Sequence, residues 1–293
     1  MKKSKIAVVV PTIRDVSEFL SAWTPFFKKH EVELVIVEDG QTPVIKHHVF
    51  GTDLVVPVSV EEVMGEFAHL IFNLNDGVRN LGFAFAYKTL KADIIISLDD
   101  DVRPMGDTIQ DHIDALNGKY PISWMNTSMT DPMRGLPYNV RHEAECMVSH
   151  GVWTGVPDYG AVEQISIVPR EQEFYRGAVP IGVKFPFCAM NFAFKAGATP
   201  YVYQAPMGPL VGLDRFADIW GGIELKRDMD MRGLAVVTGY AFVHHERASN
   251  VYKNLQKEAK GIELNDHYGE DEYFKLFEAK RREWKRFILT EQK

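Results

Sequence analysis

The chain has 293 residues, 46% of them hydrophobic, with 33 Lys and Arg against 40 Asp and Glu and a net charge of −7. That length and apolar content suit one large α/β domain or two small ones, and the acidic balance argues against a general nucleic-acid or anionic-membrane surface. The two cysteines, Cys146 and Cys188, are too few and too far apart for a disulfide framework or a thiolate zinc site, so a reducing, cytoplasmic setting is expected.

The first apolar run, Ile6 to Val10, is too short for a signal peptide and is stopped by Pro11, Arg14 and Asp15, so it reads as a buried strand. No run approaches the ~20 apolar residues of a membrane span. Phe19, Leu20, Trp23, Phe26 and Phe27 then mark one face of a helix entered near Asp15 or Ser17, which Pro25 is expected to bend or shorten. Strands follow over Leu34–Val37 and Leu54–Val58. Val78, Leu81, Gly82 and Phe85 share a helix face that leads into the strand Ile94–Leu98. Alternation of this kind predicts a mainly parallel central sheet flanked by helices. From about Pro121 to Gly222 the pattern fades into Gly, Pro, Trp and Tyr, a composition too aromatic for disorder. Val236–Val243 reads as a returning strand, and Phe274, Phe277, Trp284 and Ile288 trace an amphipathic helix. We expect a domain over 1–262 with a C-terminal helical tail over 263–293.

Asp99, Asp100 and Asp101 close the strand Ile94–Leu98 with clustered negative charge, which is costly unless something positive sits on it. Carboxylates at a strand's carboxyl end suit Mg²⁺ or Mn²⁺ bridging a diphosphate, although a triple Asp also arises as an acidic turn. Thr12 and Arg14 follow the first strand and Asp39 the second, which puts them on the same rim. Arg79 offers a planar donor fork for phosphate or a uracil carbonyl. One of His244 and His245 is a candidate to complete the ion's shell, with Arg247 and Lys253 neutralising phosphate. Trp220, before Gly221-Gly222 and beside Asp218, is either a sugar platform or buried packing. Arg134 and Arg141 flank Gly135-Leu136-Pro137-Tyr138; a guanidinium is a poor nucleophile without a carboxylate beside it.

Val10-Pro11-Thr12-Ile13-Arg14, Trp23 to Phe27, Asp99-Asp100-Asp101, Val148-Ser149-His150-Gly151-Val152-Trp153, Pro157-Asp158-Tyr159, Phe185 to Asn191, Asp218-Ile219-Trp220 and Ala248 through Ile262 together resemble the reversibly glycosylated polypeptides, which include plant UDP-arabinopyranose mutases. The resemblance covers most of the chain in the family's order. It implies a glycosyltransferase A-type fold, an Asp-x-Asp site for Mn²⁺ or Mg²⁺, no flavin, and reversible glycosylation of an arginine at the position of Arg134. The implied reaction interconverts UDP-arabinopyranose and UDP-arabinofuranose. On that reading Asp99, Asp101 and His245 hold the metal, and Thr12, Arg14, Asp39, Arg79, Asp100, Arg247 and Lys253 hold the nucleotide. Arg134, Asp158 and Asp218 carry the chemistry.

The implied partner is a UDP-sugar, UDP-arabinose or a similar pentose or hexose, and the sequence leaves a homo-oligomer open. The alternative is a metal-dependent glycosyltransferase that passes its sugar to an external acceptor; a non-catalytic scaffold is a third class. Departures from the plant pattern, such as Ala217 in place of a second Asp before Asp218 and Glu246-Arg247 in place of a Ser-Lys pair, bear on the sugar, the oligomer and the partner rather than the fold.

Overall fold

A computed structural model describes residues 3–49, 55–125, 131–138, 143–167, 172–246 and 250–290. The chain opens with β1 (Ile6–Thr12), α1 (Ser17–His30) and β2 (Glu33–Glu38). Both strands are apolar and buried along nearly their whole length, as strands covered on both faces must be. Phe19, Trp23 and Phe27 recur every fourth residue on α1 and are buried, and the Trp23 Nε1–H donates to the Val102 carbonyl at 2.9 Å. Pro25 neither shortens nor ends α1, which runs 14 residues to His30, because packing of Trp23 and Phe27 on either side of it keeps the helix on the sheet.

Two strands follow, β3 (Val44–Val49) and β4 (Val55–Ser59). Then come α2 (Val60–Met64), α3 (Arg79–Lys88), β5 (Ile94–Leu98), β6 (Val102–Pro104), α4 (Thr108–Asn117) and β7 (Lys119–Tyr120). The stretch that looked irregular in sequence carries β8 (Ala144–Gly155), α5 (Ala161–Ser166), β9 (Gly177–Ala178) and β10 (Asn191–Lys195). The chain continues with α6 (Ala217–Asp230), β11 (Ala235–His245), α7 (Val251–Asp266) and α8 (Glu272–Leu289).

The α/β class is as the sequence predicts, and the sheet is more mixed than mainly parallel. Its order is β4-β3-β2-β1-β5-β10-β8-β11-β6, with β7 on β8 and β9 on β11. Parallel pairing joins β2, β1 and β5, and again β8 and β11. The β3 and β4 neighbours are antiparallel, and β10 runs against both β5 and β8. Since β10 opposes both of them, β8 and β11 point the same way as β5. The carboxyl ends of β1, β2, β5, β8 and β11 therefore share one rim, where ligands of such sheets bind.

Helix α3 sits unusually close to this sheet. A Cβ on Gly82 would lie 2.4 Å from Val9 Cγ1 and 2.9 Å from Val37 Cγ2, so the absent side chain lets α3 bring Arg79 down to the rim. At the other end of the chain, the expected division at residue 262 falls inside α7. The apolar face of α8 (Phe277, Trp284, Ile288) belongs to the same core cluster as Val9, Val37 and Leu81. Trp284 is fully buried and donates Nε1–H to the Thr199 carbonyl at 2.9 Å, while the Lys88 ammonium holds the carbonyls of Phe287 and Thr290 at 2.7 Å each. Trp284→Ala is expected to lower stability by about 3–5 kcal/mol in urea unfolding. A loss under about 1 kcal/mol would mean that α8 is not part of the folding unit.

Candidate active site

The three aspartates after β5 share a turn but face different partners. Asp99 Oδ1 pairs with Arg79 Nη2 at 2.8 Å. Asp100 accepts the Thr12 hydroxyl at 2.5 Å and pairs with Arg14 Nη2 at 2.9 Å. Among the described residues the Asp101 carboxyl has Arg14 Nη1 at 3.5 Å and His245 Nε2 at 3.9 Å. Burial, and then the neighbouring Asp99, push the Asp101 carboxyl above its ordinary value. It is the least compensated of the three.

Arg79 is almost entirely enclosed. Its Nη1 donates to Ser97 Oγ at 2.7 Å and to the Ala189 carbonyl at 2.8 Å, and its Nε donates to the Asp76 carbonyl at 3.2 Å. With the Asp99 bond, four of its five N–H groups are engaged by protein. Although Arg79 lines the cleft, most of the fork that sequence reasoning assigned to phosphate is holding the rim together.

A cleft of about 400 Å³ opens on this rim, lined by Arg14, Arg79, Asp99, Asp101, Asp158, Arg215, Asp218 and His245 among others. That volume is within the usual range for small-ligand sites. The rim segments after β5 and β11 supply one wall. The segment Val156–Gly160 after β8 and the start of α6 supply the other. Burial holds the Asp158 carboxyl above its ordinary value and Asp99 adds to this, opposed by a hydrogen bond with Cys188. Asp218 is raised to about 7, by burial first and then by Asp76 and Asp158, even though Ala189 N–H donates to its Oδ2 at 2.9 Å.

His245 Nδ1 lies 2.8 Å from the Val156 carbonyl. A carbonyl only accepts, so Nδ1 carries a proton and Nε2 is the ring nitrogen turned toward Asp101, 3.9 Å from its Oδ1. One carboxylate and one imidazole nitrogen suit Mn²⁺ or Mg²⁺ when diphosphate oxygens and water fill the remaining positions. Among the described residues no three His, Cys, Asp or Glu side chains assemble around a single point, and Asp99 is turned to Arg79.

The other expected residues that the structure describes are not among those lining the cleft. Asp39 accepts the backbone N–H groups of Gly40 and Leu74, each at 2.8 Å, and so shapes the turn in which Leu74 takes φ 59°. Lys253 lies exposed in the first turn of α7, where its backbone N–H bonds the Asn250 cap at 3.0 Å. Arg134 is exposed beside Gly135, whose φ is 97°. Arg141 and Arg247 fall outside the described residues. Of the two readings of Trp220 the structure takes buried packing: the side chain is fully buried against Phe216, Tyr273 and Phe274, with its indole N–H bonded to Asn265 at 2.9 Å, and it offers no sugar platform.

Sequence reasoning missed Arg215 and Glu258, which both line the cleft and bond at 2.7 Å although 43 positions apart. Arg215 sits outside the segments that carry the family resemblance, and Glu258, although inside Ala248–Ile262, stands among charged residues of an amphipathic helix that do not single it out. It also missed the support beneath the wall. The His150 Nε2 accepts the Cys188 N–H at 3.1 Å while Nδ1 lies 3.0 Å from the Thr238 hydroxyl, and burial holds the imidazole down to about 3 and hence neutral. His112 joins Ser149 and Asn191 at 2.9 and 2.8 Å. Gly151 leaves room for Asn191, whose Nδ2 would lie 2.1 Å from a Cβ there.

A profile of the family described as "Reversibly glycosylated polypeptide" matches residues 1–278. UDP-arabinopyranose mutase 1 of Oryza sativa subsp. japonica is 34% identical over 281 residues, covering 89% of this chain and 75% of that protein. UDP-arabinopyranose mutase 2 of Arabidopsis thaliana is 33% identical over 282 residues, covering 89% and 76%. A third relative, probable UDP-arabinopyranose mutase 4 of Arabidopsis thaliana, is 33% identical over 287 residues, covering 92% and 76%. Agreement that runs nearly end to end, through the segments that build this rim, makes the chain a member of the reversibly glycosylated polypeptide family.

Proposed function

We propose that this chain is a UDP-sugar mutase on a glycosyltransferase A-type fold, interconverting UDP-arabinopyranose and UDP-arabinofuranose. One juxtaposition carries the reading: within a single cleft, a rim suited to a diphosphate (Arg14, Arg79, Asp101, His245) faces a carboxyl group, Asp218, that titrates near neutrality at about 7. Ring isomerisation needs a group that both takes and returns a proton, and a pKa near the working pH serves both directions. The mutase names of the relatives support the substrate.

In this reading the bond from the anomeric carbon to the β-phosphoryl oxygen breaks with its electron pair remaining on the phosphate. A nitrogen of Arg134 bonds the anomeric carbon and loses its proton to a cleft carboxylate, Asp218 or Asp158. The ring opens, a different hydroxyl closes it, and its proton passes to the former ring oxygen. The phosphate oxygen then re-forms its bond as the arginine nitrogen leaves and recovers its proton. Family membership and the exposed guanidinium support Arg134 as the acceptor. Covalent capture divides one difficult step into two easier ones. A Mn²⁺ or Mg²⁺ ion held by Asp101 and His245, with Asp99 beside it, would add positive charge for the departing diphosphate.

With Mn²⁺ and UDP-arabinopyranose and no acceptor, chromatography is expected to show the furanose nucleotide, and sugar labelling of the protein is expected to vanish in Arg134→Ala. No isomerisation across a panel of UDP-pentoses and UDP-hexoses would refute the mutase, and transfer only to an added acceptor would favour the transferase instead. Asp101→Ala and chelation should each reduce turnover about 100-fold or more; full rates in chelator would remove the metal from the scheme.

Asp218 gives a pH signature. Its carboxyl is neutral below about 7 and ionised above, so kcat/KM should rise through that pH, and Asp218→Asn should lose both the limb and about 100-fold or more in rate. The raised value means that folding favours the neutral acid. Stability from this group is therefore present below the ordinary carboxyl range and lost as pH rises through about 7. Asp218→Asn should accordingly gain in Tm relative to wild type between pH 6 and pH 8, and an unchanged difference across that window would contradict the assignment.

A further inference from the structure

Three guanidinium groups line the cleft, and they are committed to different degrees. Arg14 directs both terminal nitrogens at Asp100 and Asp101, and Arg79 has four N–H groups bonded to protein. Arg215 is tied through Nε alone, at 2.7 Å from Glu258 Oε1. Among the described residues its two terminal nitrogens make no hydrogen bond, and the side chain remains 30% exposed while that of Glu258 is 5% exposed. Its planar outer edge is thus presented to the cleft with donors to spare.

The backbone around Arg215 is built to hold that pose. Arg215 has φ 66°, a left-handed conformation that is rare for a side chain of this size and that persists only where the surroundings enforce it. Helix α7 supplies the enforcement. Lys257 pairs with Asp214 at 2.8 Å while Glu258 takes Arg215, so two adjacent residues of α7 grip two adjacent residues of the loop. The second oxygen of Glu258 accepts the Ala161 N–H at 2.7 Å, tying in the wall beyond β8, and Gly261 lets Phe216 lie against the helix. A strained residue held from two sides, with its polar end left open, is prepared for a ligand.

We infer that Arg215 grips the terminal phosphate of a bound nucleoside diphosphate and that Glu258 is its positioning residue. This rests on the nucleotide-sugar reading above. A guanidinium edge matches two oxygens of a phosphate with parallel N–H bonds, and such charge-assisted pairs are among the strongest polar contacts. Burial opposes its charge, while Glu258 first and then Asp158 and Asp76 favour the charged form. A mutase also has a need that a transferase lacks, because UDP must stay in place while the sugar ring rearranges. Arg215 lines the same cleft as Asp99 and Asp101 but comes from the segment before α6, and so would hold the freed diphosphate from a second element.

The test is calorimetric titration of UDP and UMP, with Mn²⁺ present, into the full chain and its variants. Arg215→Met should weaken UDP by about 10- to 100-fold and UMP by less than about 3-fold, since UMP lacks the terminal phosphate. Arg215→Lys, which keeps the charge without the fork, should fall between. Glu258→Gln should weaken UDP selectively and add nothing in the Arg215→Met background; equal losses for UDP and UMP that persist there would mark Glu258 as merely structural and overturn its part. During turnover Arg215→Met should leak free UDP, read by a UDP-specific coupled assay. Wild type that binds UDP and isomerises UDP-sugar, together with Arg215 variants that bind both nucleotides as wild type does or lose both equally, overturns the inference and leaves the mutase reading intact. A wild-type chain that binds no UDP overturns both.

Discussion

Everything at the rim depends on one buried guanidinium. Arg79 enters from the first turn of α3, and its bonds reach three separate parts of the fold: Ser97 within β5, Asp99 just beyond it, and the Ala189 carbonyl in the approach to β10. Only 2% of its side chain is exposed, and its charge is compensated first by Asp99 and then by Asp76 and Asp218. Removing either partner would strand the other, and the cost would appear as a displaced rim as well as lost stability. The Ala189 backbone bonds at both ends, with its carbonyl on Arg79 and its N–H on Asp218. One residue, through the two peptide planes that meet at its Cα, therefore ties the Arg79–Asp99 side of the cleft to the Asp218 side.

That arrangement explains why the acidic cluster survives in a chain that is already acidic. Asp76, Asp99, Asp101, Asp158 and Asp218 all face one cleft, where mutual repulsion and burial raise several of their pKa values. A packed core would exclude such a set. Here the carboxylates divide by partner: Asp99 is paired with Arg79, Asp101 faces His245 Nε2, and Asp218 is raised to about 7. Two carboxyl groups with separated environments are the usual means by which one site holds an ionised group and a protonatable one together.

The parts of this design that follow the chain locally were legible in the sequence. The five-residue runs of β1 and β5 and the four-residue spacing of Phe19, Trp23 and Phe27 predict elements within a few residues of those observed. The strand-end placement of Asp99–Asp101 also predicts the rim. What failed to show is long-range. Strand β3 reads Val-Ile-Lys-His-His-Val, too polar to announce itself, and the apolar pattern of β8 is interrupted where Ser149 pairs with His112, His150 pairs with Cys188 and Thr238, and Gly151 makes room for Asn191. Arg79 was legible as a cation at the right end of a helix, but its engagement by Ser97 and Ala189 was not. Trp220 beside Asp218 suggested a sugar platform since sequence gives adjacency without direction; on α6 the indole turns to the core while the carboxyl turns to the cleft.

The C-terminal third illustrates the same point with a functional consequence. Helix α7 begins six residues after His245, where β11 ends, and it reaches back along the cleft to Arg215 through Glu258. Helix α8 then closes the core over α6: Arg281 bonds Glu224 at 2.9 Å and also pairs with Asp228, while Tyr268 in the α7–α8 connection bonds Glu224 at 2.8 Å. Helix α6 carries Asp218 in its first turn and these ion-paired acids further along, so the helix that positions the titrating carboxyl is held at its far end by α8. A segment that reads in sequence as a basic amphipathic tail is, by this chain of contacts, part of what keeps the two walls of the cleft in register.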